Sequence, residues 1–229
     1  MMIRTFLGLA AVASLAFAAK DEPAEAVKRI HDANVVLEEI MSVPDKGIPQ
    51  DLLDKAHCVA VIPGLKQGGF IVGAKYGKGV LMCRKAHGGW KGPGTVRVEG
   101  GSFGLQIGAG EVDVVLLIMN RSGAEKIMRS QFKVGGEAGA MAGPVGRTVQ
   151  AETDAYMRAE ILGYSRSRGV FAGVALTGST LREDSDDNLA IYGKRVSNEE
   201  LLDRGNFPTP ASARRLVDTL NRYSRWETK

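Results

Sequence analysis

The residues best able to do chemistry are few, and their order along the chain removes the commonest reactions. Gly100-Gly101-Ser102-Phe103-Gly104 satisfies G-x-S-x-G, the nucleophile elbow whose serine needs an acid and then a histidine later in the chain. His31, His57 and His87 all precede Ser102, so the triad order fails and Ser102 is expected to be a turn residue without catalytic duty. The histidines and the two cysteines, Cys58 and Cys83, lack the close ligand spacing of a zinc site. Glu183-Asp184-Ser185-Asp186-Asp187-Asn188 offers hard oxygen ligands but has neither the glycine nor the terminal glutamate of an EF-hand, and reads as a solvated turn. Gly73-Ala74-Lys75-Tyr76-Gly77-Lys78-Gly79 lacks the Walker spacing and its Ser or Thr. The expectation is therefore a non-enzymatic protein with no metal and no cofactor.

What remains is a basic, glycine-rich surface. Lys75, Lys78, Arg84, Lys85 and Lys91 surround two expected hairpins with Trp90 among them, and Arg147, Arg166 and Arg168 follow. An anionic bilayer contributes roughly 1 kcal/mol per Lys or Arg near its surface, so four or five converging cations give on the order of 4–5 kcal/mol. Trp90 or Tyr76 would add to this, because such rings favour the headgroup level. Arg166 and Arg168 lie two apart and share a strand face. Their alternative role is ion pairing with acids such as Asp154 or Glu160.

The elements that position these groups follow from periodicity. Val27, Ile30, Asn34, Leu37 and Met41 fall near one face of a helix over 23–41, and Pro44, Gly47 and Pro49 break it. From 58 to 120 short β-branched runs alternate with glycine, at 58–62, 70–74, 79–84, 95–99, 105–109 and 112–119, which predicts an antiparallel meander. Ser122 with Glu125, and Ser197 with Glu200, read as capping boxes opening helices at 122–131 and 198–202. Further strands are expected at 147–151, 159–164 and 170–176, and a last helix at 212–224. The order is that of an α+β fold: a strongly curved, mainly antiparallel sheet with flanking helices, its 29 glycines serving bends and close approaches. The pattern does not choose between a closed barrel and an open sheet. Cys58 and Cys83 each sit in an apolar run, which favours two buried thiols slightly over a disulfide.

Arg4, an uncharged run over 5–19 and Ala16-Phe17-Ala18 read as a secretory signal cleaved after Ala18. The run is shorter than the roughly 20 residues a spanning helix needs. Residues 19–229 are then one domain, with 29 basic residues against 26 acidic, a net charge of +3, located in the periplasm or outside the cell. Such a mild balance argues against nucleic acid as a partner.

Several blocks in order resemble the SYLF-domain family: Lys55 to Pro63, Lys66 to Gly73, Gly79 to Arg84, Gly100 to Gly104, Asp113 to Asn120, Gly143-Pro144-Val145-Gly146-Arg147, Tyr164 to Val174, and Asn188-Leu189-Ala190-Ile191-Tyr192-Gly193. The resemblance runs from about Glu25 to Leu202. It implies a lipid-binding module and, in eukaryotic relatives, association with phosphoinositides and actin filaments, without an enzymatic reaction. In those relatives the leading helix is basic. Here residues 20–41 carry Lys20, Lys28 and Arg29 against six acids, so this helix is expected to pack rather than insert. Two readings stand: a lipid-binding module that meets anionic headgroups through the nine residues Lys75, Lys78, Arg84, Lys85, Trp90, Lys91, Arg147, Arg166 and Arg168, and a protein-interaction module of the actin-binding type.

Overall fold

A computed structural model describes residues 22–43, 47–69, 72–86, 88–103, 108–129, 131–134, 139–144, 159–167, 170–173, 176 and 178–225. The first helix, α1 (Glu22–Ser42), places Ala26, Ile30, Ala33, Leu37 and Ile40 at spacings of three and four, and each is at most 1% exposed. That stripe is wide enough to bury one whole side of the helix against a sheet. A short α2 (Gln50–Lys55) begins after Pro49 and buries Leu52 and Leu53 beside it.

Four long strands follow: β1 (Cys58–Gly69), β2 (Val72–Arg84), β3 (Trp90–Phe103) and β4 (Gly108–Ile118). Short ones complete the sheet: β5 (Gln131–Lys133), β6 (Ala140–Ala142), β7 (Ile161–Ser167), β8 (Val170–Gly173) and β9 (Ser179–Glu183). Their order is β5-β9-β3-β2-β1-β4-β7-β6, with β8 also on β7, in one strongly curled half-barrel. Every pairing is antiparallel except β6 on β7. The expected α+β class holds. The six short runs expected between 58 and 120 are instead four long strands, because glycines such as Gly77, Gly79 and Gly101 lie inside ladders. Ser102 likewise pairs with Gly73 in β3, so it is a strand residue and not a turn.

Alternation along each strand divides the core between the two faces. Val59, Val61, Val80, Met82, Val115, Leu117, Leu162 and Tyr164 pack with the helices. Cys58, Ala60, Ile62, Leu81, Val96, Val98, Leu116 and Ile118 fill the other face with Ile127, Leu181 and Leu202. Burial on both faces explains why these runs read as continuously apolar rather than alternating.

One irregularity sets the geometry. Partners of β1 step from Ile62↔Val114 to Leu65↔Val112, three residues against two, so β1 carries one extra residue at Pro63-Gly64. Gly64 adopts φ +59, the left-handed conformation that a bulge of this kind demands. The bulge keeps Leu65 on the interior face and puts Lys66 on the helix face. It also shifts the β1–β2 register: Gly69↔Gly73 at the far end would carry Cys58 opposite Arg84, whereas after the bulge Cys58 lies opposite Cys83. The two form a disulfide, with Cα atoms 4.0 Å apart. The expectation of free thiols is thus overturned, and the reason is a single inserted residue. Where the bulge lies over β2, glycine is required for space: a Cβ on Gly79 would stand 2.3 Å from the Val61 carbonyl oxygen.

The remaining helices close the sheet. In α3 (Arg121–Ile127) the cap is Asn120, whose side chain accepts from Gly123 N at 2.8 Å, rather than the expected Ser122. The acidic run read as a turn is the start of α4 (Ser185–Tyr192), capped by Asp184 and ended by Gly193 at φ +67. A π-helical turn (Glu200–Arg204) follows the Ser197 and Glu200 capping box, which forms reciprocally. After a 3-10 turn (Ala211–Ala213), α5 (Arg214–Tyr223) returns to α1. At Thr95, where β9 stops covering β3, the strand edge is satisfied by side chains: Thr95 N donates to Asn188 and Asn198 Oδ1, at 3.0 and 3.1 Å, and Asn198 Nδ2 donates to Thr95 O at 2.9 Å. This explains Asn188 within the Asn188-to-Gly193 block.

Candidate binding surface at the glycine-rich end of the sheet

Beyond the bulge the four long strands run on past the core on the helix face, while Leu65 and Val98 still belong to the core on the other. Here the register brings small residues together: Gly69↔Gly73, Gly68↔Ala74, Gly69↔Gly108, Gly68↔Ala109 and Ala74↔Gly101. Polar and charged side chains stand between these small residues. Lys66 is opposite Glu111 on one side and Tyr76 on the other; Tyr76 is opposite Glu99, Glu99 opposite Thr180, and Thr180 opposite Lys133. These six residues form one transverse row on the helix face, past the end of the helices. Lys66 is 74% exposed and Tyr76 49%.

Toward the core, the row borders an open groove of about 320 Å³ lined by Glu25 and Arg29 of α1, Pro63, Gly64 and Lys66 of β1, Tyr76, Gly77 and Lys78 of β2, and Asp187 of α4. Its innermost charges are paired. Lys78 Nζ lies 2.8 Å from Asp184 and 3.1 Å from Asp187, and Arg29 pairs with the same Asp187. Burial alone pushes the Lys78 ammonium down, but the hydrogen bonds and charges of the two carboxylates outweigh it and leave its pKa raised. Above the bulge, Asp113 accepts from Gly64 N at 2.9 Å and from Arg166 Nε at 2.8 Å, and Arg166 also pairs with Glu39. Lys78 and Arg166 therefore fasten α4 and α1 to the sheet. Among the described residues Arg166 meets Asp113 and Glu39, whereas Glu160 pairs with Lys126 at 2.8 Å; Asp154 lies outside the described residues.

The structure does not gather the nine expected residues. Lys75 and Lys78 lie toward the glycine-rich end of β2; Arg84, Lys85, Trp90 and Lys91 lie around the β2–β3 reversal, about six to ten residues or roughly 20–33 Å along the strand. Trp90 is only 1% exposed and donates from Nε1 to Ser224 Oγ, so its ring is a core group and not a surface anchor. Arg84 stacks on that ring at 4.1 Å and donates to the carbonyls of Leu53, Asp54 and Ala56 at the end of α2. Burial, partly opposed by Asp54, pushes its guanidinium down to about 10. Lys91 donates to Asp203 O at 3.0 Å, while Lys85 is exposed. Arg147, Arg168 and His87 lie outside the described residues. The sequence reading missed Lys66, Arg97, Lys133 and Arg182, of which Lys66 was visible in the Lys66-to-Gly73 block; the others meet only through β9 and β5.

Arg97 and Arg182 flank Glu99 at 3.0 and 3.2 Å. The end of the sheet thus carries Lys66, Lys75, Arg97, Lys133 and Arg182 against Glu99 and Glu111. Among the described residues no three His, Cys, Asp or Glu side chains converge as a metal site, and no helix is long and apolar enough to cross a membrane.

These features define an α+β domain built on a curled sheet, with its free polar surface at the strand ends. Comparison with known proteins refines the class: the family model of Ysc84, described as Las17-binding protein actin regulator, matches residues 99–223. SH3 domain-containing YSC84-like protein 1 is 31% identical in rat over 188 residues, covering 81% of this chain and 55% of the relative, and 31% identical in human over 182 residues, covering 79% and 53%. LAS seventeen-binding protein 3 of Saccharomyces cerevisiae is 31% identical over 170 residues, covering 73% and 37%. The chain belongs to the Ysc84, or SYLF, family. It spans about half the length of the mammalian relatives.

Proposed function

We propose that this protein is a non-enzymatic module, residues 19–229 after removal of a signal at 1–18, that associates with anionic phospholipid headgroups in the cell envelope or outside the cell. The observation that carries the reading is the set of cations left at the surface after the internal pairs are formed. Lys66, Lys75, Arg97, Lys133 and Arg182 outnumber Glu99 and Glu111 at one end of the sheet, beside an exposed Tyr76. At roughly 1 kcal/mol per basic residue near the membrane, a net excess of three supports weak, reversible, salt-sensitive binding. The Cys58–Cys83 disulfide is consistent with an oxidising compartment. Co-sedimentation with vesicles of phosphatidylglycerol and phosphatidylcholine tests the reading. Binding that vanishes on pure phosphatidylcholine and weakens with salt is expected, and equal binding to both vesicle types would contradict it.

The family description, Las17-binding protein actin regulator, favours a second reading as a protein-interaction module. Pelleting with actin filaments in the absence of lipid binding would establish that reading instead. Export is checked by the mass of the mature protein, expected to begin at Ala19.

A further inference from the structure

Resting on the lipid reading, we infer that the protein meets an anionic bilayer rim-first, through the glycine-rich end of the curled sheet, with Tyr76 at headgroup level and Lys66, Lys75, Arg97, Lys133 and Arg182 against headgroup phosphates. Two observations converge on this end, the level of one row of side chains and the balance of charge. The transverse row places Lys66, Tyr76 and Lys133 at one level of adjacent strands β1, β2, β3, β9 and β5. With neighbouring strands about 4.8 Å apart, the four steps from β1 to β5 span roughly 19 Å, the width of several headgroups. The rim of a half-barrel can set such a row at similar depth against a plane, whereas the side of a curled sheet touches a plane along a line.

Charge selects the same end. Among the described strand residues five cations face two carboxylates there, and one of those, Glu99, already lies between Arg97 and Arg182. Around the β2–β3 reversal, Arg84 is held by backbone carbonyls, Lys91 by Asp203 O, and Trp90 is buried. An exposed aromatic flanked by lysine is the composition that favours the bilayer interface.

The test uses one tryptophan at each end of the sheet. In a Trp226→Phe background, Tyr76→Trp and Lys85→Trp variants are mixed with vesicles containing equal parts phosphatidylglycerol and brominated phosphatidylcholine, with co-sedimentation measured on the same samples. The inference expects strong bromine quenching for Tyr76→Trp and none beyond the buried Trp90 background for Lys85→Trp. Removing Lys66 and Lys75 together, as alanines, should weaken vesicle binding roughly 30-fold, while Lys85→Ala leaves it unchanged. Binding with quenching at position 85 alone, or equally at both, overturns rim-first docking and leaves the lipid reading intact. No co-sedimentation of the unsubstituted protein overturns both.

Discussion

The two halves of the long strands, divided by the Pro63-Gly64 bulge, are built from opposite materials. On the core side, β1 and β2 carry Val59, Val61, Val80 and Met82 to the helices and Cys58, Ala60, Leu81 and Cys83 to the interior, all nearly inaccessible, and a disulfide joins them. Beyond the bulge the same strands become Gly68, Gly69, Gly73 and Ala74, flanked by the exposed Lys66 and Tyr76 and the half-buried Lys75. The first half buries side chains on both faces; in the second, Leu65 and Val98 are still buried on the interior face, while Lys66 and Tyr76 stand exposed on the other. The difference teaches that one inserted residue separates a part of the sheet that holds the fold from a part left available for contact.

The comparison is broken most severely at the disulfide. Cys58→Ala with Cys83→Ala should cost about 2–5 kcal/mol of stability, read as a lowered midpoint in urea. A sharper contrast comes from paired glycines. Gly79→Ala forces a Cβ to within 2.3 Å of Val61 O and should cost about 1–3 kcal/mol. Gly110→Ala, with nothing within 4 Å of the added atom, should change stability by less than about 0.5 kcal/mol. Equal losses at the two positions would refute the division.

Charged groups divide in the same way. Arg166→Ala strands Asp113 beside the bulge and should cost about 1–3 kcal/mol in thermal unfolding, with vesicle affinity per folded molecule unchanged. Lys75→Ala should show the reverse, stability within about 0.5 kcal/mol and weaker vesicle binding. Glu160→Gln gives a smaller effect, about 1 kcal/mol at neutral pH. The Lys126 hydrogen bond outweighs burial and, with Gly139 N–H and Ser122, holds the Glu160 carboxyl below its ordinary 4.5. A depressed acid contributes stability above its unfolded value and loses it as pH falls through the folded one. The gap between the native protein and Glu160→Gln should therefore be full at neutral pH and close below 4.5. His57 has the corresponding behaviour of a base. Burial, then Arg121 and Arg84, hold it below 6.5, so its protonation weakens the fold as pH drops under that value.

Much of the core half was legible, because local periodicity reports local burial. Ile30, Asn34 and Leu37 of the α1 stripe and the apolar runs of β1 and β4 are present in the spacing alone, although Val27, expected on that face, is exposed, and the acidic balance of α1 agrees with its packing on the sheet. The disulfide was not legible, since pairing depends on register and register turned on one residue at Gly64. Nor was the length of the strands: glycine inside a ladder and glycine at a reversal look the same in one dimension. The helix at 185–192 had its signals, Asp184 before it and Gly193 after it, but the acidic run masked them. At the candidate surface, the lysines of β2 were visible as charge. The fates of Lys78 and Trp90 were not, because Asp187 and Ser224 lie 109 and 134 residues away in sequence.

On this account the protein touches an anionic membrane with the end of the sheet that lies beyond the helix-side core. Hydrogen–deuterium exchange of the native protein, with and without phosphatidylglycerol vesicles, tests this most directly. Without vesicles, amides of 58–62, 80–83 and 114–118 should exchange slowly and those of 66–69, 72–76 and 99–103 quickly. With vesicles, protection should rise in the second group and stay unchanged at 85–91. Protection confined to 85–91, or no change anywhere, would contradict the account.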